Sequence, residues 1–367
     1  MEITAAVVHD LGADFTLETV EIDEPQAGEV LVEIKAVGLC HTDLAAQHGH
    51  LPFPLPGVFG HEGAGVVVAV GSGVTKVAAG DRVGLSFNSC GDCTSCRRGE
   101  PSYCLEFMAF NFGGARPDGS SALNVDGKQL GGSFFGQSSF ATHAMANERN
   151  VVKVDADIDL ALVGPLGCGI QTGAGAVLNT FDCQGGQSVL VLGGGSVGLS
   201  AVLAAVVREL ASIIVVEPVA ERRALALELG ATDALDPADG PISEQVRAIL
   251  PEGVNYAIDT TAVGVVLNEA FASLAHRGRL GLIGVPADPT AAMPVPLMGI
   301  QVLGASVTGI VEGDSDPDVF IPELIGLYKA GKFPFDKLVT RMPFSQINEA
   351  IGVQARGEAV KVVLVQD

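Results

Sequence analysis

Four cysteines stand close together in "CGDCTSCRRGEPSYC": Cys90, Cys93, Cys96 and Cys104. Tetrahedral Zn²⁺ takes four soft ligands, and C-x2-C steps let a tight loop wrap the ion with its own N–H groups beside the sulfurs. Four thiolates leave no open position, so the site they predict is structural. By itself such a loop fits a zinc-ribbon interaction module as well as an enzyme. A second run, "GLCHTDLAAQHGH", brings Cys40, His41, Asp43, His48 and His50 into one stretch. A short cluster of this kind needs partners from elsewhere in the chain. "GHEG" offers His61 beside Glu62, and "GCG" offers Cys168. Two Cys and one His, with a fourth position left for water or substrate, make a catalytic zinc set, provided that folding brings three distant segments to one point.

A third signal is a glycine turn. "VLVLGGGSVGLSAV" holds Gly193, Gly195 and Gly198 in G-x-G-x-x-G spacing, after an apolar strand and at the opening of a helix. The first glycine permits the tight turn, the second lets a pyrophosphate approach the backbone, and the third allows close helix–strand packing. The helix N-terminus, which begins at Ser196 and Val197, favours the anion. Glu217 closes the next strand, "IIVVE", nineteen residues after Gly198. A carboxylate there accepts from ribose hydroxyls and repels a 2′-phosphate, which favours NAD over NADP. Arg222, five residues on, is a cation able to offset that repulsion.

These residues need elements to carry them. From residue 1 to about 85, β-branched runs such as "EVLVEIKAVGL" and "GAGVVVAVGS" predict short strands. Residues 86 to 140 read as loop. From about 170 onward apolar strands alternate with helix-like segments, the pattern of βαβ units and a parallel sheet. The uncharged run Val189 to Val207 contains three consecutive glycines, so it reads as buried strand, turn and buried helix rather than as a membrane span. A chain of 367 residues with 48% hydrophobic and 17% charged residues is globular and long enough for two domains. Its net charge of −22 repels phosphate backbones and anionic lipid, which argues against nucleic-acid and membrane partners. The N-terminus has no basic start followed by an apolar stretch, so a cytoplasmic protein is expected. In that setting four close cysteines favour metal over disulfides.

With "GLCHTD", "GHEGAG", "GDRV", the four-cysteine loop, "GCGIQTG", "GGGSVG" and the closing "GEAVKVV", the chain resembles the zinc-dependent medium-chain alcohol dehydrogenases over nearly its full length. "LGCGIQTGAGAVLN", "FNFGGARPDGSS" and "FFGQSSFATHA" look most like the aryl-alcohol (benzyl-alcohol) branch, with geraniol-type dehydrogenases as close relatives. The resemblance implies an α/β fold. A β-rich GroES-like catalytic domain would span residues 1–169 and a Rossmann doubly wound parallel-sheet coenzyme domain residues 170–311. Residues 312–367 would return to the catalytic domain. The implied activity interconverts a primary aromatic or allylic alcohol, such as benzyl alcohol, and its aldehyde with NAD. Two zinc ions per subunit, one catalytic and one structural, and a homo-oligomer (dimer or tetramer) are implied as well.

Residue by residue, the resemblance makes Cys40, His61 and Cys168 the catalytic zinc ligands, with Asp43 and Glu62 as the carboxylates of that metal site. Thr42 would take the alcohol proton. His41 and Lys361 would meet the cofactor pyrophosphate, and Thr172 and Val285 would lie beside the nicotinamide. Phe134, with Phe135 and Phe87, would line an apolar substrate pocket in a cleft between the domains. Ala45 stands where relatives often carry a relay histidine, which leaves His48 or water as the outer end of the proton path. Cys183 reads as a small buried hydrophobe. Among rival readings, a zinc-free quinone reductase would lack the zinc cysteines. A polyol or glutathione-dependent formaldehyde dehydrogenase would want a more polar pocket. A non-catalytic zinc-binding interaction protein would not need the Cys40–His61–Cys168 set.

Overall fold

The run "EVLVEIKAVG" forms the strand Glu29–Gly38, along which only Lys35 is exposed. A strand so apolar on both faces belongs inside a sheet. It sits within a seven-stranded sheet, between Gly63–Val70 on one side and Lys361–Val365 and His143–Asn147 on the other. Register gathers three distant parts of the chain at one end of this sheet. Val37 lies opposite Gly63 and Gly38 opposite Val363. Cys40 therefore leaves the central strand where His61 and Glu62 enter one neighbour and Lys361 enters the other. The Gly38 N–H donates to Glu62 O (3.1 Å) and the Leu39 N–H to Val362 O (2.9 Å). A Cβ at Gly38 would lie 1.9 Å from Glu62 Oε2, so this position leaves room only for glycine.

Cys168 arrives by a separate route. Asp159 caps the short helix Leu160–Val163, accepting from the Ala161 N–H (2.9 Å). The 3₁₀ turn Gly164–Gly167 follows and presses its backbone onto the sheet. A Cβ at Gly164 would meet Glu62 O at 2.4 Å, and one at Gly167 would meet Leu85 O at 2.1 Å. Ser86 Oγ completes the seat by donating to Gly167 O (2.6 Å). A five-stranded sheet built on Glu2–Val8 packs in the same core, where Phe15, Phe59, Phe134 and Phe140 are buried.

These elements come from a computed structural model that describes every residue except Pro289, Pro294 and Asp367. The chain forms two units: Met1–Cys168 with Asp316–Leu324 and Val339–Asp367, and Gly169–Ser315 with Ile325–Leu338. The C-terminal segment expected to return to the first unit is thus divided. Residues 325–338 stay with the second, because the Phe335–Leu338 turn packs on the helix Ser196–Val207 and Lys337 pairs with Glu228 (2.7 Å).

The second unit is a six-stranded parallel sheet in the order Asp233–Leu235, Ser212–Val216, Ser188–Leu192, Val254–Asp259, Leu274–Leu282, Ser306–Gly309. Counted along the chain this is 3-2-1-4-5-6, the doubly wound arrangement. The run Val189 to Val207 is indeed a buried strand, a turn and the helix Ser196–Val207. No single helix among the described residues is long and apolar enough to cross a membrane.

Candidate functional site

The end of the mixed sheet collects one cluster of chemistry. Single ligand atoms of Cys40, His61, Glu62 and Cys168 all lie within 4.8 Å of one another. Asp43, fully buried, organises them. Its Oδ1 accepts from His61 Nδ1 (2.8 Å) and the Gly60 N–H (3.0 Å), and its Oδ2 accepts from the Cys40 N–H (3.1 Å). A carboxylate only accepts, so Nδ1 carries the proton and Nε2 presents its lone pair. Nε2 is buried with no hydrogen-bond partner. A buried acceptor with no partner beside two thiols fits a soft cation with nitrogen and sulfur ligands. The Cys40 thiol is held well below its usual range by a hydrogen bond with Cys168 first, and then by His61 and Lys361, against the cost of burial. Burial works against a charged His61 ring, but Asp43 and Cys40 outweigh it and hold the ring above its usual value. A proton and a metal ion therefore compete for Nε2.

Lys361 departs from expectation. Its Nζ donates to both Glu62 oxygens (2.7 and 2.8 Å) and to Leu39 O (2.9 Å), which uses all three of its N–H bonds. The side chain is 1% exposed, so it is a countercharge to Glu62 rather than a hand for cofactor phosphate. Burial pushes the Glu62 carboxyl up to about 7, against the pull of Lys361. The pairing was invisible in sequence because 299 residues separate the partners.

Thr42 belongs to the cluster: Cys40 Sγ lies 3.6 Å from its Oγ1. His41, the first residue of the helix His41–Gln47, is exposed. His48 is not brought to Thr42. Six helical positions separate them, roughly 240° around and ~9 Å along the axis. The exposed His48 ring donates from Nδ1 to Leu44 O (2.8 Å) and stacks on His50. Ala45 is buried, and its carbonyl accepts from the His50 N–H (2.8 Å).

The expected pocket phenylalanines part company. Phe134 is fully buried, edge-on to Phe53, Phe59 and Phe112, and 5.5 Å from the His61 ring. Phe135 lies face to face with His61, centroids 4.4 Å apart and planes 22° apart. Phe87 packs on Phe107 and borders a cavity of about 340 Å³ whose other walls include Lys76, Glu148, Arg149 and Asp318. That cavity is charged, so Phe87 does not face an apolar pocket there. Sequence reasoning missed Gln137. Its Nε2 donates to His61 O (2.9 Å) and Ser86 O (3.0 Å), and its Oε1 accepts from the Gly63 N–H (3.1 Å). Its one local signal is polarity within an aromatic run, "FFGQSSF".

The four-cysteine loop closes on itself. Its sulfurs lie within 4.8 Å of one another, and all seven cysteines are free thiols. Cys90 Sγ and Cys96 Sγ are 3.9 Å apart. A tetrahedron of Zn–S bonds of ~2.3 Å spaces its sulfurs by ~3.8 Å. Cys90 Sγ accepts from the Asp92 and Cys93 N–H groups, and Cys93 Sγ from those of Cys96 and Leu105. These bonds, the Cys96 N–H first, bring the Cys93 thiol down to about 6. Burial pushes Cys104 up to about 12. Cys183, fully buried, stands apart from both clusters.

In the second unit the glycine turn has a tight, open backbone geometry. Gly193 has φ of +99°, a Cβ at Gly198 would sit 1.8 Å from Gly193 O, and a Cβ at Gly195 would meet nothing within 4 Å. Gly195 starts the helix Ser196–Val207 with no side-chain cap, so the N–H groups of Ser196 and Val197 have no intrahelical acceptor. Glu217, 4% exposed, reaches the turn: its Oε2 accepts from the Gly194 N–H (2.6 Å) and its Oε1 from the Val219 N–H (2.9 Å). Each oxygen keeps a lone pair for a ribose hydroxyl. Arg222 is half-buried on the next helix. Its neighbour Arg223 shapes this loop, donating to Glu217 O (2.6 Å) and pairing with Asp236 (2.8 Å). Thr172 is buried in the helix Gly169–Gly175, and Val285 is half-buried beyond the strand Leu274–Leu282.

Comparison with known proteins agrees with this chemistry. Residues 26–156 match the family model of the alcohol dehydrogenase GroES-like domain, and residues 196–327 that of zinc-binding dehydrogenases. A geraniol dehydrogenase of Castellaniella defragrans is 49% identical over 363 residues, 98% of this chain and 97% of that protein. The crystal structure of benzyl alcohol dehydrogenase from Acinetobacter calcoaceticus is 41% identical with a TM-score of 0.97, covering 100% of both chains. An alcohol dehydrogenase zinc-binding domain protein from Burkholderia ambifaria is 45% identical, also at 0.97, over 100% of this chain and 99% of its own. The chain belongs to the zinc-dependent medium-chain alcohol dehydrogenases, oxidoreductases that act on small-molecule alcohols.

Proposed function

We propose that this enzyme interconverts primary alcohols bearing an aromatic or allylic group and their aldehydes, using NAD. One zinc ion would be held by Cys40, His61 and Cys168 and a second by Cys90, Cys93, Cys96 and Cys104. The observation that carries the reading is His61 Nε2, buried without a partner, facing two thiols and backed by aromatic rings. The benzyl-alcohol and geraniol relatives support the substrate class.

When bound, zinc supplies the Lewis acidity that makes an alcohol hydroxyl acidic near neutral pH, and the nicotinamide supplies the hydride acceptor. The chain's residues do the rest. Asp43 holds the His61 tautomer and, through the Cys40 N–H, the start of the helix that carries Thr42. Thr42 Oγ1 receives the alcohol proton and passes it on; with Ala45 at the relay position and His48 tied to Leu44 O, water is its destination. The Glu62–Lys361 pair places a dry, net-neutral unit behind the thiols. In the second unit, the open N-terminus at Gly195 receives the pyrophosphate and Glu217 receives the ribose. Thr172 and Val285 flank the nicotinamide, and Arg222 moderates the charge at Glu217. A homo-oligomer is supported by the open edge strand Ser306–Gly309 near exposed Leu297, Met298 and Val302. Sedimentation velocity showing only monomer would overturn it.

The experiment is a panel of benzyl, cinnamyl, geranyl and short aliphatic alcohols, read as kcat/KM with NAD and NADP. Aromatic and allylic alcohols with NAD should lead. Glu217→Ala should raise the relative use of NADP. Preference for short aliphatic alcohols would sink the substrate assignment, and an unchanged cofactor ratio the role of Glu217.

A further inference from the structure

The loop from Ser133 to Ser139 takes an unusual path. Ser133, Phe135 and Ser138 have φ of 63°, 52° and 52°, a left-handed region that residues with a Cβ rarely occupy. Such conformations persist only where the surroundings over-determine them, and they concentrate at functional sites. Here the surroundings are explicit. The Phe134 N–H donates to Ser138 Oγ (2.8 Å), and Ser138 Oγ donates to Val58 O (2.6 Å). Asn150 Nδ2 donates to Phe135 O (3.3 Å) and Gly136 O (3.1 Å).

The bend delivers two contacts to one residue. The Phe135 ring stacks on the His61 imidazole at 4.4 Å, and Gln137 bonds the main chain at His61 O and just beyond it at the Gly63 N–H. The Nδ1 hydrogen bond to Asp43 holds one edge of the buried ring, and Phe134 meets it edge-on at 5.5 Å. A flat partner at stacking distance restrains the remaining direction, the tilt of the ring plane in which the Nε2 lone pair lies.

We propose that Phe135 is a positioning residue of the metal site: the strained loop holds its ring so that it sets the plane of His61 and aims Nε2 at Cys40 and Cys168. Phe135 acts through His61 and not by touching the alcohol. This rests on the zinc reading proposed above, and the test separates the two.

Purified holoenzyme and the variants Phe135→Asn, Phe135→Leu and Phe135→Tyr are exposed to EDTA, and zinc per subunit is followed over time beside kcat and KM for benzyl alcohol and a short aliphatic alcohol. Asn tolerates the left-handed backbone and removes the ring. It should release the open-site zinc roughly tenfold faster than wild type or more. The four-cysteine zinc should leave at the wild-type rate, and kcat should fall alike for both alcohols. Tyr, which keeps the stacked face, should stay near wild type. Leu keeps the volume without the flat face and should also release zinc faster, so it decides the matter if the Asn variant does not fold. Unchanged zinc release in Asn and Leu, with KM raised only for benzyl alcohol, would make Phe135 a substrate wall and overturn the proposal. Wild-type enzyme that retains only the four-cysteine zinc would instead overturn the zinc reading, and the positioning role with it.

Discussion

Glu62 and Lys361 form an ion pair with both side chains essentially removed from solvent. Such a pair is weak evidence of added stability, yet removing one partner leaves an uncompensated buried charge, at a cost of about 3–5 kcal/mol. Lys361→Met should therefore lower the unfolding free energy from urea titration by an amount in that range, with a matching fall in the midpoint. The double variant Glu62→Gln, Lys361→Met should recover much of it, since neither charge is left alone. A Lys361→Met protein with the wild-type midpoint and a raised KM for NAD would return this lysine to the cofactor. The same reasoning explains Gly38: any side chain there would occupy the seat of the Glu62 carboxylate.

At the scale of elements, the two cysteine-bearing sites are built in opposite ways. The four-cysteine loop carries its own ligands and its own N–H donors, so the zinc proposed there would order the loop and contribute folding energy. The Cys40–His61–Cys168 cluster is assembled by sheet register and by the glycine-rich turn Gly164–Gly167, which are in place through backbone pairing. Cys93→Ser should accordingly lose one zinc per subunit and lower the Tm. Cys168→Ser should keep the four-cysteine zinc and a Tm near wild type while losing turnover. Zinc content, melting curves and activity on the same preparations check this. Normal turnover in Cys168→Ser would show that the ligand assignment is wrong.

For the whole molecule the governing quantity is charge. Forty-three acidic residues face twenty-one basic ones, for a net −22. Self-repulsion of that size disfavours the compact state, while exposed pairs such as Arg356–Glu358 and Lys337–Glu228 give back little because solvent screens them. Salt screens both, with a Debye length of about 10 Å at 0.1 M. Repulsion outweighs those pairs in a chain this acidic, so the Tm should rise as NaCl is added from low ionic strength. A falling Tm would mean that surface ion pairs dominate instead.

Much of this chemistry was legible in the chain alone. The C-x2-C loop and the glycine turn could be read because every group they need lies within a few residues, so local geometry follows from spacing. The alternation beyond residue 170 announced the parallel sheet for the same reason: strand, turn and helix are each local. Spacing never joined Cys40, His61 and Cys168; likeness to a family did, and sheet register joins them in space. What only the tertiary structure decided is what surrounds those ligands. Lys361 was expected at the cofactor and is spent on Glu62, Phe135 was expected at the substrate and lies on His61, and Gln137 carried no motif at all. His48, six residues from Thr42 in sequence, points elsewhere because the helix turns it away. Ligands are drawn from a small set of residue types that sequence displays. Their supports can be any side chain that a loop path or a register brings within reach, and those are settled by backbone pairing between segments far apart in the chain.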